Sequence, residues 1–260
     1  MVVFFDIDGT IIDDETQVIP ESAVRAVEQL RRNGHIPVIN TGRPYAHIDP
    51  RIREMAFSGW VCGCGMEILL DGVWLTRAMP SAQLCAATLE AVRRCNMQAL
   101  YEDREGAVYT DGAYSVHPAL QEECRRMADK GFTVAPVDVQ NPRFMKLVTF
   151  DCEGCRREEF LAAMEPCYTC IDRGRTMLEL VLKGHSKAQG MERLLEELGV
   201  SREQTMAIGD STNDLPMFSV AGHTVCMGNG MEQLKSQAEF ITDTVLNDGI
   251  EKALNHFCLL

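Results

Sequence analysis

The chain has 260 residues, of which 46% are hydrophobic, and its formal net charge is −13. This length allows a substantial buried core and one or two domains. The negative charge argues against a nucleic-acid surface, which needs a basic face to neutralise phosphates. The sequence has no apolar run near the roughly 20 residues that cross a bilayer. The N-terminal MVVFF also lacks the basic flank and the length of a signal peptide. We therefore expect a soluble, cytoplasmic protein that binds neither nucleic acid nor membrane.

Strand and helix patterns alternate along residues 1–80. Val2–Phe5 is a continuous apolar run, which is typical of a strand that is buried on both faces. Residues 20–34 carry apolar side chains at helical spacing between a proline and a glycine. Residues 35–40 predict a second buried strand, and a helix is predicted from about Tyr45. A third strand and a hairpin that turns at Asp71-Gly72 follow.

The pattern changes between residues 81 and 184, where strand pairs and helices predict an α+β module with an open antiparallel sheet. From His185 the strand–helix alternation resumes and continues to a last strand at 239–243. We therefore predict an α/β fold. Residues 1–80 and 185–260 form a Rossmann-like core, a parallel sheet with helices on both faces, and residues 81–184 form an inserted α/β cap domain.

Four of the eleven cysteines form the pairs Cys152-x-x-Cys155 and Cys167-x-x-Cys170, which resemble a zinc-binding pattern. A helix predicted over residues 157–164 would hold Cys155 and Cys167 about 12 Å apart. Zinc needs all four sulfurs at about 2.3 Å. Reduced, partly buried thiols are therefore the favoured interpretation, and a zinc site is the alternative.

Polar residues follow several predicted strands or begin a following helix. These segments are DIDGT at 6–10, NTGR at 40–43, Ser186-Lys187, and GDSTND at 209–214. Ligands of an open parallel sheet bind beyond the carboxyl ends of its strands, so the segments should converge on one rim. Each segment alone has a plainer interpretation as a turn, a helix cap or a solvated loop.

The acidic residues of these segments predict a cation site. Asp6 and Asp8 are two residues apart and can share a face of a strand. With Asp210 and Asp214 they would gather up to four negative charges, which is unfavourable unless a cation lies among them. Carboxylate oxygens with room for water suit Mg²⁺.

Two further residues suggest that the site binds a phosphoryl group. Lys187 lies in the first turn of its helix, where the helix dipole disfavours a cation unless an anion is near. Thr41 offers a hydroxyl and adjacent backbone N–H donors. Together the segments predict Mg²⁺-assisted phosphoryl transfer.

The four segments, in this order, resemble the signature of the haloacid dehalogenase superfamily of phosphotransferases. The long insertion, and the run from SKAQG through GDSTNDLPMF to MGNG and NDG, are similar to the Cof-like sugar-phosphatase subgroup. One departure is Cys64-Gly65-Met66, where such proteins typically have Asn-Gly-Ala. This change makes the substrate harder to predict than the reaction.

The resemblance implies a role for each matching residue. Asp6 would be the nucleophile that forms an aspartyl-phosphate, and Asp8 would be the general acid and base. Thr41 and Lys187 would hold the phosphoryl oxygens. The implied substrate-binding residues are Thr41, Gly42, Arg43, Lys187 and Asn213. The implied Mg²⁺ ligands are Asp6, Asp8 through its carbonyl, Asp210 and Asp214.

We therefore expect a Mg²⁺-dependent phosphatase that hydrolyses a small phosphorylated metabolite, such as a sugar phosphate. A hexose-phosphate phosphomutase is the enzymatic alternative. A non-enzymatic dinucleotide-binding domain is disfavoured, because G-x-G-x-x-G does not follow the first strand. A receiver-like domain would be about half this length. Within the cap, Lys146, Arg143 and Asp172 are interpreted as ordinary surface residues, and the sequence indicates neither the residues that select the substrate nor the oligomeric state.

Overall fold

The computed structural model describes residues 1–111, 117–174 and 176–260. The chain packs into two compact units. The first unit contains residues 1–43, 48–77 and 185–260, and the second contains residues 44–47 and 78–184. The predicted domains, 1–80 with 185–260 and 81–184, stay a prediction, and the packing units differ from them at residues 44–47 and 78–80.

The first unit is built on an eight-stranded sheet, counted over the described residues. In chain order its strands are β1 (Val2–Phe5), β2 (Ile36–Asn40), β3 (Gly59–Cys62), β4 (Glu67–Leu70), β5 (Val73–Arg77), β12 (Thr205–Gly209), β13 (His223–Cys226) and β14 (Phe240–Ile241). The spatial order is β14-β13-β12-β1-β2-β3-β4-β5. Pairs from β14 to β3 are parallel, and β4 and β5 add an antiparallel hairpin at one edge. The predicted Rossmann-like α/β core is confirmed.

Helices cover this sheet. They are α1 (Glu21–Arg32), α2 (Pro50–Arg53), α6 (Lys187–Leu198), α7 (Leu215–Val220), α8 (Glu232–Lys235) and α9 (Gly249–His256). Val2 and Phe4 of β1 pack in one apolar cluster with residues of α6 and α7. Val3 and Phe5, which alternate with them, are also fully buried. A strand buried on both faces reads as a continuous apolar run, as β1 does.

One helix prediction needs correction, and one helix was not predicted. A continuous helix from Tyr45 is wrong: residues Tyr45–His47 form a 3-10 turn, and α2 begins only at Pro50. The residue before a proline disfavours helical backbone, and Asp49 instead caps α2 by accepting a hydrogen bond from the backbone N–H of Arg51. The C-terminal helix α9, which packs on α1, was not predicted.

The second unit is an α+β module. Its elements are α3 (Ala82–Arg94), β6 (Gln98–Glu102), β7 (Val108–Thr110), α4 (Pro118–Asp129), β8 (Val134–Pro136), β9 (Lys146–Phe150), α5 (Arg157–Met164), β10 (Tyr168–Gly174) and β11 (Met177–Leu182). The described strands form one sheet in the order β10-β11-β9-β6-β7-β8. The pairs are antiparallel except for β7 and β8, which are parallel. The expectation of a wholly antiparallel sheet is therefore wrong at this one edge.

The side chain of Lys146 is buried rather than on the surface, with 4% of the residue exposed. Its ammonium forms an ion pair with Glu179 and lies 3.4 Å from Glu102 Oε2. Arg143 and Asp172 are exposed, as expected. A lysine can be buried when carboxylates pair with its ammonium. The residues next to Lys146 in sequence do not indicate these carboxylates, because Glu102 and Glu179 are distant in the chain.

The helix predicted between the two cysteine pairs is confirmed as α5, Arg157–Met164. Cys155, Cys167 and Cys170 are partly buried against the apolar core of the second unit. Within the described part of the chain, the four cysteines do not form a group whose sulfurs could share one metal ion.

Over the described residues, no helix is long and apolar enough to cross a membrane.

Candidate active site

The carboxyl ends of neighbouring parallel strands bring the acidic segments together. β1 lies between β2 and β12, and its backbone pairing continues one residue beyond the strand, since the Asp6 N–H donates to the carbonyl of Ile208 at 3.0 Å. Asp6 follows β1, and Asp210 follows β12. Parallel register therefore places these two carboxyl-bearing residues side by side, although 204 positions separate them in sequence.

Lys187 is the positive centre of the site. Its ammonium lies 2.8 Å from Asp6 Oδ1 and 2.6 Å from Asp214 Oδ1. All three residues are at most 3% exposed. Burial lowers the pKa of Lys187, but Asp214 and Asp6 outweigh it and raise that pKa above its ordinary value. The lysine is therefore held charged at the start of α6, where Ser186 caps the helix.

Asp214 organises the turn that carries Asp210. Its Oδ2 accepts hydrogen bonds from the backbone N–H groups of Asp210 at 3.0 Å and Ser211 at 3.1 Å. Its Oδ1 faces Lys187. The Asp214 side chain does not cap α7, although the position of Pro216 suggested such a cap; one of its oxygens caps the 3-10 turn Thr212–Asp214, and the other faces the lysine.

Three carboxylates form a cluster that could hold a metal ion. One oxygen from each of Asp6, Asp210 and Asp214 lies within 4.8 Å of the others. Burial, only partly opposed by Lys187 and reinforced by Asp214 and Asp8, raises the pKa of Asp6 to about 7. Burial together with the charges of Asp6 and Asp214 raises the pKa of Asp210 to about 8. One lysine therefore does not offset three closely packed carboxylates, and the raised pKa values favour protonation of Asp6 and Asp210 near neutral pH.

The donor set fits a hard divalent cation. Among the described residues, the buried Oδ1 of Asp210 has no hydrogen-bond partner. An unpaired buried carboxylate oxygen beside two other carboxylates is costly unless a cation or water binds it. Oxygen ligands of this kind suit Mg²⁺.

Asp8 lies apart from this cluster. Its carboxylate is paired with the guanidinium of Arg43, with Arg43 Nε 2.8 Å from Asp8 Oδ2 and a second contact between Nη2 and Oδ1. The side chain of Asp8 is 42% exposed. The expected four-carboxylate cluster therefore contains three side chains, because the chain leaves the strand at Phe5 and the two-residue alternation ends there.

The remaining candidates lie on the same loops. Thr41 is buried, and its hydroxyl accepts a hydrogen bond from the Arg43 N–H at 3.2 Å. Gly42 lies between them in the turn that follows β2. Asn213 accepts a hydrogen bond from the Ser211 hydroxyl at 2.6 Å, within the turn that follows β12. Arg43 was expected to bind substrate, and its contact with Asp8 was not foreseen.

Close backbone approach explains the glycine in the first segment. Gly9 has φ of +69°, and a β-carbon there would lie 2.4 Å from Asp210 Oδ2. A larger residue at this position would displace the Asp210 carboxylate and would be strained at this positive φ. The glycine of DIDGT therefore has a packing role that its place in a turn alone does not explain.

Comparison with known proteins identifies the family. The model of haloacid dehalogenase-like hydrolases matches residues 3–254. The chain belongs to this family. YkrA of Bacillus subtilis is 29% identical over 270 residues, which cover 100% of this chain and 98% of that protein. YcsE of the same organism, a 5-amino-6-(5-phospho-D-ribitylamino)uracil phosphatase, is 25% identical over 99% of this chain and 96% of its own.

A solved structure has the same fold over the whole chain. It is that of BT4131, described as a sugar phosphatase of subclass IIB of this superfamily, with a TM-score of 0.82 and 24% identity, covering 100% of this chain and 99% of that one. The family match over residues 3–254 and the phosphatase relatives confirm the predicted Cof-like membership and the predicted enzyme class, a phosphoric monoester hydrolase.

Proposed function

We propose that the protein is a Mg²⁺-dependent phosphatase that hydrolyses a small phosphorylated metabolite through an aspartyl-phosphate on Asp6. The observation that carries the proposal is the buried Lys187 ammonium between Asp6 and Asp214, with Asp210 in the same carboxylate cluster. Such a site can bind a cation and an anionic phosphoryl group together.

In the first step, an oxygen of the Asp6 carboxylate attacks phosphorus. The bond between phosphorus and the leaving oxygen breaks, and Asp8, which enters this step protonated and released from Arg43, donates its proton to that oxygen. Lys187, which is held charged, opposes the rise in the pKa of Asp6 and attracts the phosphoryl oxygens. Thr41, Gly42 and its neighbours supply further donors to the phosphoryl group.

In the second step, a water molecule attacks the phosphorus of the aspartyl-phosphate. Asp8, now ionised, accepts the proton of that water, and the bond from phosphorus to the Asp6 oxygen breaks. Inorganic phosphate leaves, and Asp6 and Asp8 return to their starting states. Each proton that Asp8 gives in the first step is recovered in the second.

The proposed Mg²⁺ ligands are the carboxylates of Asp6 and Asp210 and the carbonyl of Asp8, with Asp214 in support. When bound, Mg²⁺ neutralises negative charge on the transferring group and on the cluster. Asp214 holds the turn of Asp210 through its two backbone hydrogen bonds, so it orients a ligand whether or not it contacts the ion.

The proposed substrate is a sugar phosphate or a similar small phosphate ester, and a cytoplasmic location belongs to the same proposal. The names of YcsE, which acts on a phosphorylated ribityl compound, and of the sugar phosphatase BT4131 support this class.

The test is phosphate release from a panel of phosphorylated sugars, sugar alcohols and nucleotides, with Mg²⁺ and with EDTA. We expect Mg²⁺-dependent release that Asp6→Asn abolishes, together with a phosphorylated peptide containing residue 6 in acid-quenched mixtures of the unmodified protein. Asp129→Asn, at an exposed position, is the control and should retain full activity. Normal turnover by Asp6→Asn would refute the nucleophile, and isomerised sugar in place of free phosphate would favour a phosphomutase.

A further inference from the structure

The segment Met227-Gly228-Asn229-Gly230 contacts both acidic segments, although it contributes no carboxylate. It follows β13, the neighbour of β12 in the sheet. We refer to residues 227–231 as the MGNGM loop.

Asn229 uses both ends of its amide. Its Nδ2 donates a hydrogen bond to the carbonyl of Gly9 at 2.7 Å, and its Oδ1 accepts one from the backbone N–H of Val245 at 3.1 Å. Gly9 follows Asp8 directly, so Asn229 joins the turn of the first acidic segment to the chain after β14. An amide is suited to this bridge because it carries a donor and an acceptor on one rigid group.

The loop also holds the second acidic segment. The backbone N–H of Met231 donates to the carbonyl of Asp210 at 2.7 Å, and that of Met227 donates to Gly209 at 2.9 Å. A β-carbon at Gly230 would lie 2.9 Å from the Asp210 carbonyl and 2.6 Å from Cys226 Sγ. The loop therefore lies against the backbone of Asp210 as closely as a glycine permits.

Both attachments affect the separation between Gly9 and Asp210. Gly9 packs so closely on the Asp210 carboxylate that a β-carbon would be 2.4 Å from Oδ2. Displacing the Gly9 turn therefore changes the space available to that carboxylate. The MGNGM loop fixes Gly9 from one side and the Asp210 backbone from the other.

We propose that Asn229 is a positioning residue: by holding the Gly9 carbonyl, it sets the separation between the Asp6-to-Gly9 turn and Asp210, and so the affinity of the carboxylate cluster for a divalent cation. This inference rests on the proposed function, because it assumes that the cluster binds Mg²⁺. Asn229 touches neither phosphoryl group nor metal in this scheme. Its effect passes through Gly9.

The test measures Mg²⁺ binding by isothermal titration calorimetry and hydrogen exchange of the peptide spanning residues 6–13. Asn229→Ala should weaken Mg²⁺ binding by about 10–100-fold, as loss of an orienting partner does elsewhere. It should also speed exchange in that peptide. Asn229→Asp, which keeps the acceptor for Val245 and loses the donor to Gly9, should speed the same exchange, so that the donor is tested separately from the fold of the loop.

Asn33→Ala is the matched control. Asn33 also uses both ends of its amide, accepting from Gln29 and donating to the carbonyl of Leu259 at 2.9 Å, away from the acidic segments. It should change neither Mg²⁺ affinity nor exchange in residues 6–13. Equal effects of Asn33→Ala and Asn229→Ala, or unchanged affinity and exchange in Asn229→Ala, would overturn the inference. Failure of the unmodified protein to bind Mg²⁺ would instead refute the metal in the proposed function, and the exchange result would still show whether Asn229 positions Gly9.

Discussion

Replacing Lys187 with methionine tests the central electrostatic feature of the site. Methionine keeps much of the length of the side chain and removes its charge, so Asp6, Asp210 and Asp214 are left without their fixed cation. Removing one partner of a buried ion pair typically costs about 3–5 kcal/mol. At about 2–4 °C per kcal/mol for a protein of this size, the Tm should fall by roughly 6–20 °C near neutral pH.

The loss should depend on pH, and its sign follows from the raised pKa values. Asp6, with a pKa of about 7, and Asp210, with a pKa of about 8, bind more protons in the folded state than in the unfolded chain, where their ordinary value is 3.8. Their contribution to stability is therefore unfavourable and grows as pH rises from the unfolded pKa through the folded one. Without Lys187 both pKa values rise further, so protonation replaces the missing cation at low pH. The Tm difference between Lys187→Met and the unmodified protein should be larger at about pH 8 than at about pH 5.5.

The assay is thermal unfolding followed by circular dichroism in EDTA at both pH values. Lys252→Met is the control, because Lys252 forms an exposed ion pair with Asp243 at 2.7 Å and should change Tm little. A loss for Lys187→Met that is equal at the two pH values would show that the side chain acts through packing rather than charge. An unchanged Tm at about pH 8 would refute the reasoning altogether.

Two further predictions concern buried contacts. Gly190→Ala places a β-carbon 2.4 Å from Val61 Cγ1 and 2.8 Å from Gly65 Cα. The clash should outweigh the gain in helix propensity, cost about 1–3 kcal/mol of stability and lower phosphatase activity by shifting α6 with Lys187. The exposed Gln189→Ala should change neither property, and unchanged Tm and activity in Gly190→Ala would contradict the close packing. In the second unit, burial opposes ionisation of Glu179, but Lys146 and Arg173 outweigh burial and lower the pKa of Glu179 to about 2. Lys146→Met should therefore reduce the free energy of unfolding in urea by about 3–5 kcal/mol at about pH 7, and this effect should be lost as pH falls from about 4.5 towards 2. A loss no larger than that of the exposed Arg125→Gln would contradict the prediction.

The sequence was sufficient to predict the strands and helices whose pattern is strong. The buried run of β1, the amphipathic helices α1 and α6, and the Asp71-Gly72 hairpin all follow from local periodicity and turn chemistry. Two short helices were predicted less accurately: α2 covers only Pro50–Arg53, and α9 was not predicted. A four-residue helix such as α2 has too few positions for a period to be recognised. The eight-residue α9 is also short for an isolated helix, and its packing on α1 stabilises it.

By itself, the sequence determined which chemical groups are available and that parallel strands would carry them to one rim of the sheet. Residue types, and the patterns that predict strands, can be read from short stretches of the chain. Only the tertiary structure decided how those groups are paired: Lys187 between Asp6 and Asp214, Asp8 with Arg43, and Asn229 with Gly9. Each of these contacts joins residues 27 or more positions apart. Such pairing depends on sheet register and helix placement, which are set by the packing of the whole core rather than by neighbours in sequence.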